Sequence, residues 1–147
     1  MIRVLAFILP LMATALVSSP LPQSAETLAG PVTARLLRVI DGDTIAVSAR
    51  IWLGQRVETL VRLDGADAPE LRGKCAGERQ LAKRAKDFVA AFLGNGAVIL
   101  RDIQYGKFAG RVVSRIFALD GRDLAEALIA RGLAHSYAGG RRRNWCV

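Results

Sequence analysis

Val57-Glu58-Thr59-Leu60-Val61-Arg62-Leu63-Asp64 alternates with a period of two, whereas Glu78-Arg79-Gln80-Leu81-Ala82-Lys83-Arg84-Ala85-Lys86-Asp87-Phe88-Val89-Ala90-Ala91-Phe92-Leu93 repeats at helical spacing. In the first run Val57, Thr59, Val61 and Leu63 share one face. Glu58, Leu60, Arg62 and Asp64 share the other, so a half-buried strand carries Arg62 on its polar side. In the second run Leu81, Ala85, Phe88 and Phe92 recur, with Ala82 and Val89 beside them and Lys83, Arg84, Lys86 and Asp87 elsewhere. That is an amphipathic helix, and Gly94-Asn95-Gly96, residues that tolerate positive φ, end it. Residues 65–77, between the two runs, form a loop rich in Gly, Ala, Pro and charge.

Strand patterns lie on both sides of this pair. Residues 33–40 and 43–49 read as strands joined at Asp41-Gly42, and Leu53-Gly54-Gln55 turns the chain into the strand quoted above. Residues 97–103 and 111–119 read as two more strands, separated by a Gly-containing loop at 104–110. After the Asp120-Gly121 turn comes a short helix, 124–131, capped by Gly132. The order β-β-β-α-β-β-α predicts a mainly β (α+β) fold, a five-stranded OB-fold barrel with two to three helices, an architecture that often binds nucleic acid.

The first residues read differently. Met1 to Arg3 give a short positive start, Val4 to Val17 carry no charge, and Ser18 to Gly30 are small, polar and Pro-containing. This is the order of a signal peptide, and the apolar run is short for a membrane span of about 20 residues. Residues 1–29 are therefore expected to be a signal peptide and cleavage region, cut after Ala25 or Ala29, and residues 30–147 to be the folded domain. An uncleaved N-terminal anchor is the alternative. Export to the periplasm or the outside is expected, with no stable membrane span after cleavage.

Arg3 is the only charged residue among the first 25, so the mature chain drops from a net charge of +8 to +7. A small domain with that excess attracts polyanions. Its two cysteines, Cys75 and Cys146, form an even pair in an exported chain. One disulfide is favoured over a metal site, with two free thiols as the alternative. Such a bond would be worth about 3–5 kcal/mol through loop closure.

Three local patterns carry chemistry. Val39-Ile40-Asp41-Gly42-Asp43-Thr44 sets two carboxylates around a Gly. Val61-Arg62-Leu63-Asp64-Gly65-Ala66-Asp67-Ala68-Pro69-Glu70 puts an Arg on a strand and two acids in the loop leaving it. Ala109-Gly110-Arg111-Val112-Val113 opens a strand with an Arg. Each has a plain structural reading as a turn, a loop stop or a solvated charge. Together they supply what phosphodiester hydrolysis needs. Hard oxygens hold Ca²⁺ or Mg²⁺, a carboxylate takes a proton from water, and guanidiniums bind the charge that develops on phosphate.

In this order the motifs resemble the staphylococcal nuclease-like (thermonuclease) family, across about residues 33–137. The short helix Glu126-Ala127-Leu128-Ile129-Ala130-Arg131-Gly132-Leu133-Ala134 is similar too. The resemblance implies an exported endonuclease dependent on Ca²⁺, with Mg²⁺ or Mn²⁺ as alternatives, that cuts DNA and RNA with little sequence preference as a monomer. It implies Asp43, Asp67 and the backbone carbonyl of Ala68 as metal ligands, and Asp41 as a carboxylate that orders metal-bound water. Glu70 would be the general base, Arg62 and Arg111 would grip the scissile phosphate, and Lys107 and Tyr137 would contact substrate.

The chain departs from the family at Ala68, where many relatives have Thr. It departs again at Gly106-Lys107-Phe108-Ala109, where relatives carry Asp-Lys-Tyr, and in the tail Arg141-Arg142-Arg143-Asn144-Trp145-Cys146. The tail reads either as a basic, aromatic surface for a strand backbone or as a solvated charge run. Trp52 is expected to pack, Asp64 to pair with a nearby Arg, and His135 to have no role. The competing functional readings are a nucleic-acid-binding barrel with weak or no catalysis and a basic envelope domain that binds anionic polymers.

Overall fold

The computed structural model describes residues 26–146, so all but the last four residues of the expected leader, 1–29, lie outside the described residues. The elements run β1 (Thr27–Leu28), β2 (Val32–Val39), β3 (Thr44–Trp52), β4 (Gln55–Leu63), β5 (Ala66–Asp67), α1 (Ala76–Leu93), β6 (Ala97–Tyr105), β7 (Arg111–Phe117), α2 (Leu124–Ala130) and β8 (His135–Ser136). β2, β3 and β4 form an antiparallel meander. β4 then pairs with β7 in parallel, β7 with β6 antiparallel, and β6 returns to β2. This closes a five-stranded mixed barrel with two helices, the OB-type plan expected from the element order. β1 pairs with the far end of β6, Thr27 opposite Gln104 and Leu28 opposite Ile103. A cut after Ala25 would keep β1 and a cut after Ala29 would remove it.

The core lies inside the barrel and under the helices. Ile45, Val47, Val61, Val98, Leu100 and Ile116 meet Val89 and Leu93 of α1 and Leu124 and Leu128 of α2. Each such side chain contributes about 1.5–3 kcal/mol by leaving water. The line that α1 buries runs through Ala82, Ala85, Val89 and Leu93. Leu81, Phe88 and Phe92, expected at its centre, flank it half-buried. Small residues on this line let the helix close on the Asp41–Thr44 turn. A Cβ added to Gly42 would lie 2.8 Å from the Ala85 Cβ and 2.7 Å from the Ala68 Cβ.

α1 begins at Ala76, two residues before the expected start, because Cys75 caps it and its Sγ accepts a hydrogen bond from the Glu78 N–H at 3.5 Å. Cys75 is bonded to Cys146, with Cα atoms 6.0 Å apart.

The β3–β4 hairpin runs on past the expected end at residue 49. Trp52 pairs with Gln55 across a two-residue turn. β7 covers β4 only from Leu60 to Leu63, and β2 covers β3 only as far as Ala49. Beyond those points no described element pairs with the hairpin. Trp52 is accordingly 70% exposed instead of packed, and Val57 also faces solvent.

Candidate active site

Two loops meet at one mouth of the barrel, and β4 joins them. In the first, the Asp41 Oδ1 accepts the Asp43 N–H at 3.0 Å and tightens the turn. Gly42 lets that turn sit against Ala68, so Asp43 enters the interior. The Asp43 Oδ1 accepts hydrogen bonds from Arg62 Nη1 (2.9 Å) and Thr44 Oγ1 (3.1 Å), and its Oδ2 accepts the Ala68 N–H at 3.1 Å. Thr44 and Arg62 are direct cross-strand partners, which is why the guanidinium reaches Asp43. Burial pushes the Asp43 carboxyl up to about 6. The Arg62 charge pulls against that rise and the Asp41 charge adds to it.

Asp67 lies on β5, opposite His135 of β8, and is 1% exposed. Its Oδ1 accepts from Arg62 Nη2 at 3.2 Å and Arg142 Nε at 2.5 Å. Its Oδ2 is buried without a hydrogen-bond partner, a costly condition for a carboxylate oxygen.

Glu70 stands at the rim with its side chain about half exposed. A buried acid absent from the expected site, Glu78, shapes its loop. The Glu78 carboxylate accepts the Glu70 N–H (3.3 Å) and the Lys74 N–H (2.9 Å). Gly73 leaves room for that carboxylate, because a Cβ there would fall 2.3 Å from the Glu78 Cδ. The readable sign is Glu78 three residues after the cap Cys75, the spacing of a capping box.

The second residue missed is Arg142. From the C-terminal tail it donates Nε to Asp67 Oδ1, Nη1 to Glu70 Oε1 and Nη2 to the Ala68 carbonyl oxygen at 3.2 Å. Nη2 also stands 4.0 Å from Asp43 Oδ2. Burial works against its charge, but Glu70 and Asp67 together hold the proton on the guanidinium more firmly than usual. The Arg141–Arg143 run is thus neither a free surface nor wholly solvated, since its middle member faces the acids.

Asp43, Asp67, the Ala68 carbonyl, Glu70 and Arg62 therefore converge, and Asp41 holds the turn beside them. Arg111 does not join them by contact. It pairs with Leu60, two residues along β4 from Arg62 and on the same face. Its guanidinium lies 5.9 Å from the centre of the Phe108 ring and makes no ion pair with a described residue. Lys107 lies 6.0 Å from that same ring and makes no ion pair with a described residue. The Tyr137 hydroxyl donates to the Gly140 carbonyl at 2.9 Å, and Tyr105 is exposed. Asp64 forms no ion pair with a described residue; its N–H donates to Ser114. His135 does have a structural role, stacking on Trp145 at 3.8 Å and 14°.

The donor set fits a hard divalent cation. It offers two buried carboxylates and a carbonyl oxygen, and Asp67 Oδ2 lacks any other partner. The sulfurs of Cys75 and Cys146 lie within 4.8 Å of a Glu78 oxygen, but the disulfide uses both sulfurs, so they offer no thiolate. Alongside the acids runs a cleft of about 730 Å³ lined by Arg72, Lys74, Arg141, Arg142 and Arg143 among others, suited to an anionic chain.

The structure thus combines a closed OB-type barrel with acids and guanidiniums at one mouth and a basic cleft beside them. The chain belongs to the staphylococcal nuclease homologue family, whose model matches residues 60–144, more than half of its length. That match takes in Arg62, Asp67, Glu70, Arg111 and Arg142 and begins after Asp41 and Asp43. A protein of Escherichia coli named "Uncharacterized endonuclease" is 26% identical over 114 residues, 78% of this chain and 67% of the relative. A protein of the same name from Escherichia coli O157:H7 is similar to the same extent.

Proposed function

We propose that this chain is an exported endonuclease that hydrolyses phosphodiester bonds of DNA and RNA with little sequence preference and needs Ca²⁺, with Mg²⁺ or Mn²⁺ as alternatives. The observation that carries the reading is the convergence of Asp43, Asp67, the Ala68 carbonyl and Glu70 on one point, touched together by the Arg142 guanidinium. Family membership and the endonuclease names of the relatives support it.

Asp43, Asp67 and the Ala68 carbonyl would hold the cation. A bound divalent ion supplies Lewis acidity toward a phosphoryl oxygen. Glu70, at the rim, takes the proton of the attacking water as its oxygen bonds to phosphorus. Arg62, fixed by its two aspartates, presents a guanidinium to the equatorial oxygens. Arg111 lies on the same face of the sheet and is free to grip the phosphate and the departing oxygen. Lys107 and Tyr137 would contact substrate beyond that point, and Asp41 would order water at the metal.

Export is supported by the leader pattern of residues 1–25 and by a disulfide suited to an oxidising compartment. Fractionating cells that express the full chain checks it: the expected result is a shortened chain outside the cytoplasm, and a full-length cytoplasmic chain is the contrary one.

A second reading, a nucleic-acid-binding barrel without useful catalysis, is favoured by one fact: Arg142 already neutralises the acids. Plasmid DNA and RNA incubated with the purified mature chain separate the two. The nuclease reading expects fragments with Ca²⁺ and none with chelator. Binding without product under every divalent ion would leave only the second reading.

A further inference from the structure

We infer that Arg142 is a tethered competitor of the divalent cation: in the metal-free protein its guanidinium takes the cation's oxygens, and the Cys75–Cys146 bond keeps it there. The inference rests on the metal-site reading above. Arg142 touches Asp67 Oδ1, Ala68 O and Glu70 Oε1 and stands near Asp43 Oδ2. Ca²⁺ needs such oxygens at about 2.3–2.6 Å, and two cations cannot share them without strong repulsion. Asp67 Oδ2 is the oxygen still without a partner. It is buried, so a cation reaches it only once the guanidinium has moved aside.

The tail is built as a strap with Arg142 between two anchors. Before it, the Tyr137 N–H donates to Gly65 O at 3.0 Å. Gly139 and Gly140, both at φ +92°, then turn the chain back over the acids, a conformation that suits Gly alone. After it, Trp145 stacks on His135, whose backbone pairs with Asp67, and Cys146 is bonded to the residue that caps α1. A group held this way acts at a high effective concentration, which falls when one anchor is cut. Reduction of the disulfide would therefore loosen Arg142 and tighten cation binding. In an oxidising compartment the strap stays closed and the cation must be plentiful.

Calorimetric Ca²⁺ titration of the mature protein at neutral pH tests this, with no turnover involved. If the guanidinium covers the site in nine molecules of ten, apparent affinity is lowered about tenfold. R142Q should then bind Ca²⁺ about tenfold tighter than wild type, and R142K should fall between them. Mild reduction should tighten binding by wild type and leave R142Q unchanged, while D43A should bind nothing. In the absence of metal R142Q should melt lower than wild type, because buried Asp67 and half-exposed Glu70 lose a partner, and it should gain more from added Ca²⁺. Equal or weaker binding by R142Q, with D43A still defective, would overturn the competitor and leave the metal site standing. So would reduced wild type that keeps its fold and binds no tighter. Failure of wild type and R142Q alike to bind more than D43A would remove the metal site and the competitor together.

Discussion

The two ends of the β3–β4 hairpin contrast sharply. At one end Asp43, Thr44 and Arg62 are tied into the barrel by side-chain hydrogen bonds and by the loop carrying Ala68. At the other, Ile51, Trp52 and Leu53 are 58%, 70% and 84% exposed. The ladder between them is continuous, so strand propensity does not separate them. Covering does: β7, the Ala66–Glu70 loop and the tail close over one end, and nothing described closes over the other. Polar residues are buried where neighbours satisfy them, and apolar residues are left in water where no neighbour reaches.

The largest expected effects belong to the covered end. Glu70→Gln should lower turnover on DNA by about 10²–10⁴-fold with little change in DNA affinity. Equal losses of both, read by single-turnover kinetics and a binding titration, would make Glu70 structural and weaken the contrast. Arg62→Ala removes the nearest cation from Asp43 and one of the two hydrogen bonds to Asp67 Oδ1. Loss of one partner of a buried ion pair costs about 3–5 kcal/mol, measured by denaturant unfolding at pH 7. Gly42→Ala should overpack the contact with Ala68 and Ala85 and cost about 1–3 kcal/mol. An unchanged melting temperature would mean that the two loops are not pressed together.

The pH dependence follows from Asp43, whose carboxyl is raised from 3.8 to about 6, chiefly by burial. The folded chain holds this proton more tightly than the unfolded chain. In metal-free protein the Asp43 contribution therefore favours folding below pH 3.8 and is lost as pH rises toward about 6. A proton and a cation also compete for the same oxygens. Ca²⁺ should bind about tenfold more weakly at pH 5 than at pH 7.5, and affinity that is flat across this range would contradict the burial of Asp43. The smallest effect belongs to the free end. Trp52→Ala should move stability by no more than about 0.5 kcal/mol and leave Ca²⁺ affinity alone. A larger loss would show that something covers the tip.

The barrel is legible in the sequence because its signals are local: alternation in 57–64, the helical period in 78–93, and glycines at the turns. Trp52 and Val57 escape that reading because alternation shows which residues share a face, not whether another strand lies over it. Asp43, Asp67, Glu70 and Arg62 are legible as short motifs whose acids sit a few residues apart. Arg142 is not. It contacts Glu70 across 72 residues of chain, and in sequence it looks like any member of a charged run. Glu78 hides for a related reason: an acid in the first turn of a helix is ordinary, and only the fold aims it at the Glu70 and Lys74 amides.

The most direct test is to locate the ion. Anomalous diffraction from crystals of the mature chain grown with Mn²⁺, one of the alternative ions, should give a peak bound by Asp43, Asp67 and the Ala68 carbonyl, with the Arg142 guanidinium moved off Asp67. A fully occupied Arg142 still bridging Asp67 and Glu70 at saturating Mn²⁺, with no peak beside them, would contradict the account.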